Sequence, residues 1–126
     1  MRYNSIMVAI NQVPSHDIQL QQIIERITAS YTPEKIILFG SRAYGVPDAD
    51  SDFDILIIKE TSDVPRERRY QVRKILWLLP LKAAVEPIVL TQTELTQRLS
   101  AGDSFVNKII REGRILYERK RLVEPA

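Results

Sequence analysis

The stretch that decides the fold runs Lys35-Ile36-Ile37-Leu38-Phe39-Gly40-Ser41, crosses a loop, and resumes as Ser51-Asp52-Phe53-Asp54-Ile55-Leu56-Ile57-Ile58. Lys35–Phe39 sets consecutive aliphatics before an aromatic, the composition of a short buried strand, and Gly40 ends it. Gly45, Pro47, Asp48 and Asp50 then give the segment before Ser51 the composition of a turn or loop. Phe53–Ile58 is apolar apart from Asp54 and reads as a second buried strand, with one carboxylate near its start. A charged group in an otherwise buried strand needs a physical reason.

Working outward, the opening stretch Met1–Val13 is ambiguous between a strand and a helical lead-in. After Pro14 and Ser15, a plausible stop and N-cap, Leu20, Ile23, Ile24 and Ile27 recur at helical spacing, and Pro33 interrupts. On the other side, Pro65 opens a helix whose apolar face is Val72, Ile75, Leu76 and Leu79, and Pro80 closes it. Arg66, Arg69 and Arg73 run down one flank of that helix, as a solvated face or a contact to a partner or nucleic-acid acceptor. Trp77 falls off the apolar stripe, which suits a secondary packing contact or a protein interface. Ala84–Leu90 reads as a third strand, again with a lone carboxylate, Glu86. Thr91 and Glu94 have the spacing of a capping box, a helical stretch follows to about Glu112 with a break near Gly102, and Ile115–Tyr117 reads as a last short strand. There is no internal repeat. This order predicts a layered α/β or α+β domain.

The chain of 126 residues has the length of one domain. The reading is a single domain over 1–118 and a short C-terminal tail over 119–126. With no cysteine, disulfides, thiolate metal sites and cysteine nucleophiles are excluded. The lone histidine, His16, rules out a histidine-rich metal site, and a Ser-His-Asp triad would have to use it beside a helix start. A formal charge of +2 argues against nucleic-acid binding by bulk charge, while a local patch stays open. The longest apolar runs, Ile6–Ile10 and Ile75–Leu79, are too short to span a bilayer or to serve as a secretory core. No membrane association is expected, and a cytoplasmic location fits. Carboxylates, hydroxyls and basic side chains remain, a set suited to magnesium-dependent phosphate chemistry or to plain binding.

Residues i and i+2 of a strand share a face, so Asp52 and Asp54 set two carboxylates side by side. Such neighbours repel and raise each other's pKa unless a cation neutralises them. A hard divalent ion, magnesium or manganese, is the economical partner, and a third carboxylate on a neighbouring strand would complete a site for two ions about 4 Å apart. An acidic solvated loop is the plain alternative. A calcium loop is not, because the alternation from Asp48 to Asp54 puts Phe53 where glycine is needed and Lys59 where glutamate is needed. Gly40-Ser41 after a strand offers close backbone approach, a hydroxyl and a backbone donor to an anion, although neither GxxxxGK[ST] nor GxGxxG is present.

Taken together, Phe39-Gly40-Ser41-Arg42-Ala43-Tyr44-Gly45 and Ser51-Asp52-Phe53-Asp54-Ile55, with ten residues between Ser41 and Asp52, resemble the motif of the DNA polymerase β-type nucleotidyltransferase superfamily. The likeness is in particular to its minimal nucleotidyltransferase (MNT) branch. It is strongest over residues 35–60 and continues more loosely to about residue 118. The resemblance implies a nucleotidyltransferase fold, a small mixed β-sheet flanked by helices. It further implies that Gly40 and Ser41 bind the nucleotide triphosphate, that Asp52 and Asp54 ligate Mg2+, and that Glu86 is the third acid, at the catalytic metal and the acceptor hydroxyl. Two ions are implied when nucleotide is bound, with Mn2+ as a substitute. Arg42 is a candidate phosphate-binding or structural arginine.

The activity so implied is transfer of a nucleoside monophosphate, most simply AMP from ATP, to a hydroxyl on a partner protein, with release of pyrophosphate. Little chain follows the last element, so the acceptor half of the site is expected from elsewhere. Members resembling this chain commonly pair with a helical HEPN-domain protein as the antitoxin of a toxin-antitoxin module. The sequence departs from the pattern at Glu86, where aspartate is common, and at Pro87, which removes a strand donor and implies a bend or an edge. That departure supports a second reading, an antitoxin-like binding module with weak or no turnover that masks a HEPN partner. RNA nucleotidylation is a third, resting on the flank arginines alone. Nucleotide preference, acceptor and self-association, a homo-oligomer included, stay open.

Overall fold

The ambiguous opening stretch forms a strand, β1 (Tyr3–Asn11), and the chain continues through α1 (Ile18–Tyr31), β2 (Lys35–Phe39), α2 (Ser41–Tyr44) and β3 (Phe53–Ile58). The second half comprises α3 (Pro65–Leu76), β4 (Val85–Leu90), α4 (Gln92–Ser100), α5 (Ser104–Glu112) and β5 (Arg114–Pro125). This computed structural model describes residues 3–125; Met1 and Arg2 of the opening stretch and Ala126 of the expected tail lie outside the described residues. The five strands make one mixed sheet in the order β1-β5-β2-β3-β4. Only β3 and β4 run parallel; the other neighbours are antiparallel.

Side-chain alternation along β2 and β3 sorts the core into two layers. Ile36, Leu38, Phe53, Ile55 and Ile57 pack under α1 and α3, against Leu20, Ile23, Ile24, Ile27, Val72 and Leu76. Ile37, Phe39, Leu56 and Ile58 face the other way and meet Leu95 of α4 and Val106 and Ile109 of α5. Because both faces are covered, the central strands carry continuous aliphatic runs instead of alternating ones.

Three expectations need correcting. The N-cap of α1 is Asp17 and not Ser15, since the Asp17 carboxylate accepts from the Leu20 amide at 3.1 Å. The third helix ends its regular part at Leu76, with bonds such as Leu79 N–H to Leu76 O continuing as turns before Pro80. Residues 119–125 are no tail: β5 continues through them, paired with β1 from Asn11 opposite Tyr117 to Tyr3 opposite Pro125. A strand whose partner lies at the far end of the chain cannot be recognised from local pattern, and Glu118–Arg121 is polar and charged throughout. The capping box at Thr91 and Glu94 forms as expected.

Arg68, which the flank pattern of α3 left unremarked, is the one buried charged residue among those described, at 5% exposure. It donates to Glu94 at 2.6 Å, to the Asp63 carbonyl at 2.7 Å and to the Val89 carbonyl at 3.2 Å. Thus α3 is tied to β4 and to the cap of α4 through one side chain. The Arg68 bond, followed by the Thr91 backbone amide, holds the Glu94 carboxyl below its ordinary 4.5. A depressed folded pKa adds stability that is complete above 4.5 and lost as pH falls through the folded value. Arg68→Met is expected to cost about 2–3 kcal/mol in urea unfolding at pH 7, with a smaller deficit at pH 3, where Glu94 is losing its charge in both proteins. An equal deficit at both pH values would refute the ion-pair account.

Candidate functional site

β2 delivers the chain to Gly40, whose φ of +76° lies in the left-handed region that disfavours side chains. A Cβ there would overlap the Asp54 carboxylate, with Asp54 Cγ only 3.0 Å away. Gly40 is therefore required twice, for its backbone angle and for the carboxylate beside it. Five residues on, a Cβ at Gly45 would sit 2.8 Å from the Ser41 Cα, so this glycine lets the loop fold back over the start of α2. The Gly40 carbonyl accepts from Ala43 and Tyr44. As first-turn groups, the Ser41 and Arg42 amides have no partner within the helix ladder.

Phe39 pairs with Asp54 in the antiparallel register, and Asp54 pairs with Glu86 in the parallel one. By strand parity Asp54 and Glu86 share the α4/α5 face of the sheet, and Asp52 stands just ahead of β3. Asp52 is exposed just before β3, Asp54 is half-buried, and Glu86 is exposed on β4, which is an edge strand. Pro87 thus sits where strand proline is tolerated. Burial first, and then the charges of Asp52 and Glu86, push the Asp54 carboxyl above its ordinary 3.8. Around these acids lies a cleft of about 640 Å³, lined by Phe39, Gly40, Tyr44, Asp54, Arg69, Arg73, Glu86, Pro87, Ile88 and Phe105. That is a common size for a small-molecule site.

The sequence-predicted residues do not all converge. Gly40, Asp54 and Glu86 line the cleft, with Ser41 and Asp52 next to them in the chain. The Glu86 carboxylate is engaged by Arg73 at 3.0 Å, and among the described residues no three acidic or histidine side chains cluster closely enough to hold a metal. Arg42 has the structural role of its two. Its Nε donates to the Ser51 carbonyl at 2.8 Å, its Nη2 reaches the Asp48 and Ala49 carbonyls at 3.4 Å, and its guanidinium lies 3.9 Å from the Phe53 ring centroid. It braces the acidic loop from within, so the phosphate-binding assignment is not supported. His16 is exposed and not part of the cleft lining. Sequence reasoning did not pick out Tyr44 and Phe105 as cleft residues. Tyr44 stood inside the quoted motif, but Phe105 comes from α5, more than sixty residues away, with no local signal.

Whether this donor set suits a divalent cation can be judged from charge and chemistry. Asp52 and Asp54 offer hard oxygen ligands, and among the described residues neither has an ion-pair partner. Burial first, and then the charges of Asp52 and Glu86, raise the Asp54 pKa, and a bound cation would offset both. The pair fits a magnesium-type ion; Glu86 would have to leave Arg73 to join it.

The mixed sheet thus places a glycine turn and the aspartate at the start of β3 beside one cleft. The family profile described as polymerase beta, nucleotidyltransferase matches residues 21–122, most of the chain, and the protein belongs to that family. Its class of chemistry is nucleotidyl transfer. A search of curated proteins found no match. No helix among the described residues is long and apolar enough to cross a membrane.

For an acid whose folded pKa is raised, the folded state holds the extra proton between 3.8 and the folded value. Stability therefore falls as pH rises through that window, and the cost persists at neutral pH. Asp54→Asn is expected to raise the melting temperature at pH 7 without divalent ions by about 3–5 °C, with the gain shrinking toward pH 4. Adding Mg2+ should raise the melting temperature of the wild type and not that of the variant. Calorimetry across pH, with and without Mg2+, checks both.

Proposed function

We propose that this domain transfers AMP from ATP to a hydroxyl of a partner protein, and that the partner is a HEPN-domain toxin for which the domain acts as antitoxin. The observation that carries the nucleotide half is the close approach of Gly40 to Asp54, which puts a bare backbone turn against a carboxylate that has no ion-pair partner among the described residues. In this reading the Gly40-Ser41 turn and the first amides of α2 receive the phosphates, and Asp52 and Asp54 hold Mg2+. When bound, the metal supplies Lewis-acid stabilisation of charge on the transferring phosphoryl group.

The rest is positioning by the chain itself. The half-exposed aromatic edges of Tyr44 and Phe105 form the cleft wall against which the nucleoside packs. Phe105 is held by an edge-to-face contact with Phe39, centroids 5.6 Å apart, and Lys108 lies 4.8 Å from the Tyr44 ring centroid. The acceptor hydroxyl approaches from the β4 edge, loses its proton to Glu86, and forms a bond to the α-phosphorus as the bond to pyrophosphate breaks. Arg73 has to release the Glu86 carboxylate before that proton is taken.

Incubation with α-labelled ATP, Mg2+ and the protein encoded beside this chain should label that partner. Asp52→Asn with Asp54→Asn should abolish the label, and Glu86→Gln should slow it by about 100-fold or more, as loss of a general base does. Tight partner binding with no label transferred by the wild type would establish the masking alternative, which the Arg73-bound state of Glu86 favours.

A further inference from the structure

The end of α3 carries an exposed aromatic and aliphatic patch that the nucleotide site does not use. Trp77 and Leu78 are each 81% exposed and Tyr70 is 59% exposed. Large apolar side chains this bare, grouped on one short segment, are a mark of an interaction surface. Tyr70, Arg73, Lys74 and Trp77 border a hollow of about 500 Å³. Residues three, four and seven apart lie on one helix face, so the hollow runs along the helix. Trp77 also lines a second hollow of about 360 Å³, together with Leu76, Leu81, Ala83, Val85 and Glu86.

Arg73 borders both hollows and the nucleotide cleft, and Glu86 borders the cleft and the second hollow. The patch is therefore continuous with the place where an acceptor must enter. Its charge is mainly positive: Arg66, Arg69 and Lys74 are exposed cations, Arg73 is paired with Glu86, and Glu67 is the single acid of the helix.

We propose that this face of α3, centred on Trp77 and Arg73, docks an acidic protein segment that inserts an apolar side chain beside Trp77 and so presents its hydroxyl to Glu86. The proposal rests on the nucleotidyl-transfer reading for the role of that hydroxyl, while the docking itself needs no nucleotide. Three features select the occupant. The cations require negative charge in the partner. The aliphatic lining of Leu76, Leu81, Ala83 and Val85 suits an inserted leucine or aromatic side chain, which a phosphodiester backbone lacks. A second copy of this chain packed through the same patch would set like charges against each other.

Trp77 is the only tryptophan, so its emission reports on this surface alone. The probes are a 20-residue amphipathic peptide with a glutamate face and a leucine face, the same peptide with lysine for glutamate, and a 12-nucleotide oligouridylate. The acidic peptide should blue-shift Trp77 emission saturably and the lysine peptide should not. By anisotropy of the labelled acidic peptide, Trp77→Ala and Lys74→Glu should each weaken binding tenfold or more, with melting temperatures unchanged because both side chains are exposed. No binding of the acidic peptide to the wild type, equal binding of both peptides, binding of oligouridylate in place of peptide, or a blue shift from self-association at raised protein concentration would each overturn the proposal. Fluorescent ATP binding, measured separately, tests the underlying reading: its absence alongside intact peptide docking sinks nucleotidyl transfer here, and its presence without docking sinks the surface.

Discussion

The site hangs on the close approach of Gly40 to Asp54. Two antiparallel strands bring Phe39 opposite Asp54, and the chain then turns through a positive φ so tightly that only hydrogen fits beside the carboxylate. Such a turn sets bare backbone beside a charge that is itself half-buried and repelled by Asp52 and Glu86. On its own that arrangement is destabilising, since burial and like charge both oppose ionisation. The surrounding core must hold it. Ile36, Leu38, Ile55 and Ile57 on one face and Ile37, Leu56 and Ile58 on the other fix the two strands in register from both sides.

Basic side chains divide the remaining work by where they lie. Arg42 commits its guanidinium to the carbonyls of the acidic loop and the face of Phe53, so the loop that leads into Asp52 is shaped from inside. Arg68 is buried and locks α3 to the start of α4. Arg73, two turns from the beginning of α3, is half-exposed and holds Glu86 at the sheet edge. The spacing 68, 69, 73 explains the separation. One residue of offset, about 100° of rotation on a helix, turns Arg68 into the core and leaves Arg69 and Arg73 toward the cleft.

The local pattern made much of this legible. Lys35–Phe39 and Phe53–Ile58 are strands at their expected bounds because their apolar runs are short, bounded by Gly40 in one case and by charged residues in the other, and buried on both faces. The helix at Pro65, the capping box at Thr91 and the break at Gly102 follow from residue chemistry that acts within a few positions. Residues 119–125 did not read as strand, because their pairing with β1 closes a loop of nearly the whole chain and their composition is charged. Arg68 was passed over among four arginines because a helix's burial stripe is set by its neighbours and not by its charges.

By itself the sequence determined the ingredients of the site: a glycine-serine turn after one strand, two aspartates of the same parity on the next, and a lone acid on a third, with no cysteine and a single histidine to compete as ligands. Spacing along a strand decides which side chains share a face, and that rule is local. Only the tertiary structure decided what each charge meets. It set Asp54 against Gly40, gave Arg42 to the loop, turned Glu86 to Arg73, and left Trp77 bare beside them. The strand order, the sheet edge and the rotation of α3 bring together residues far apart in the chain, and Coulomb and contact forces depend on that distance in space.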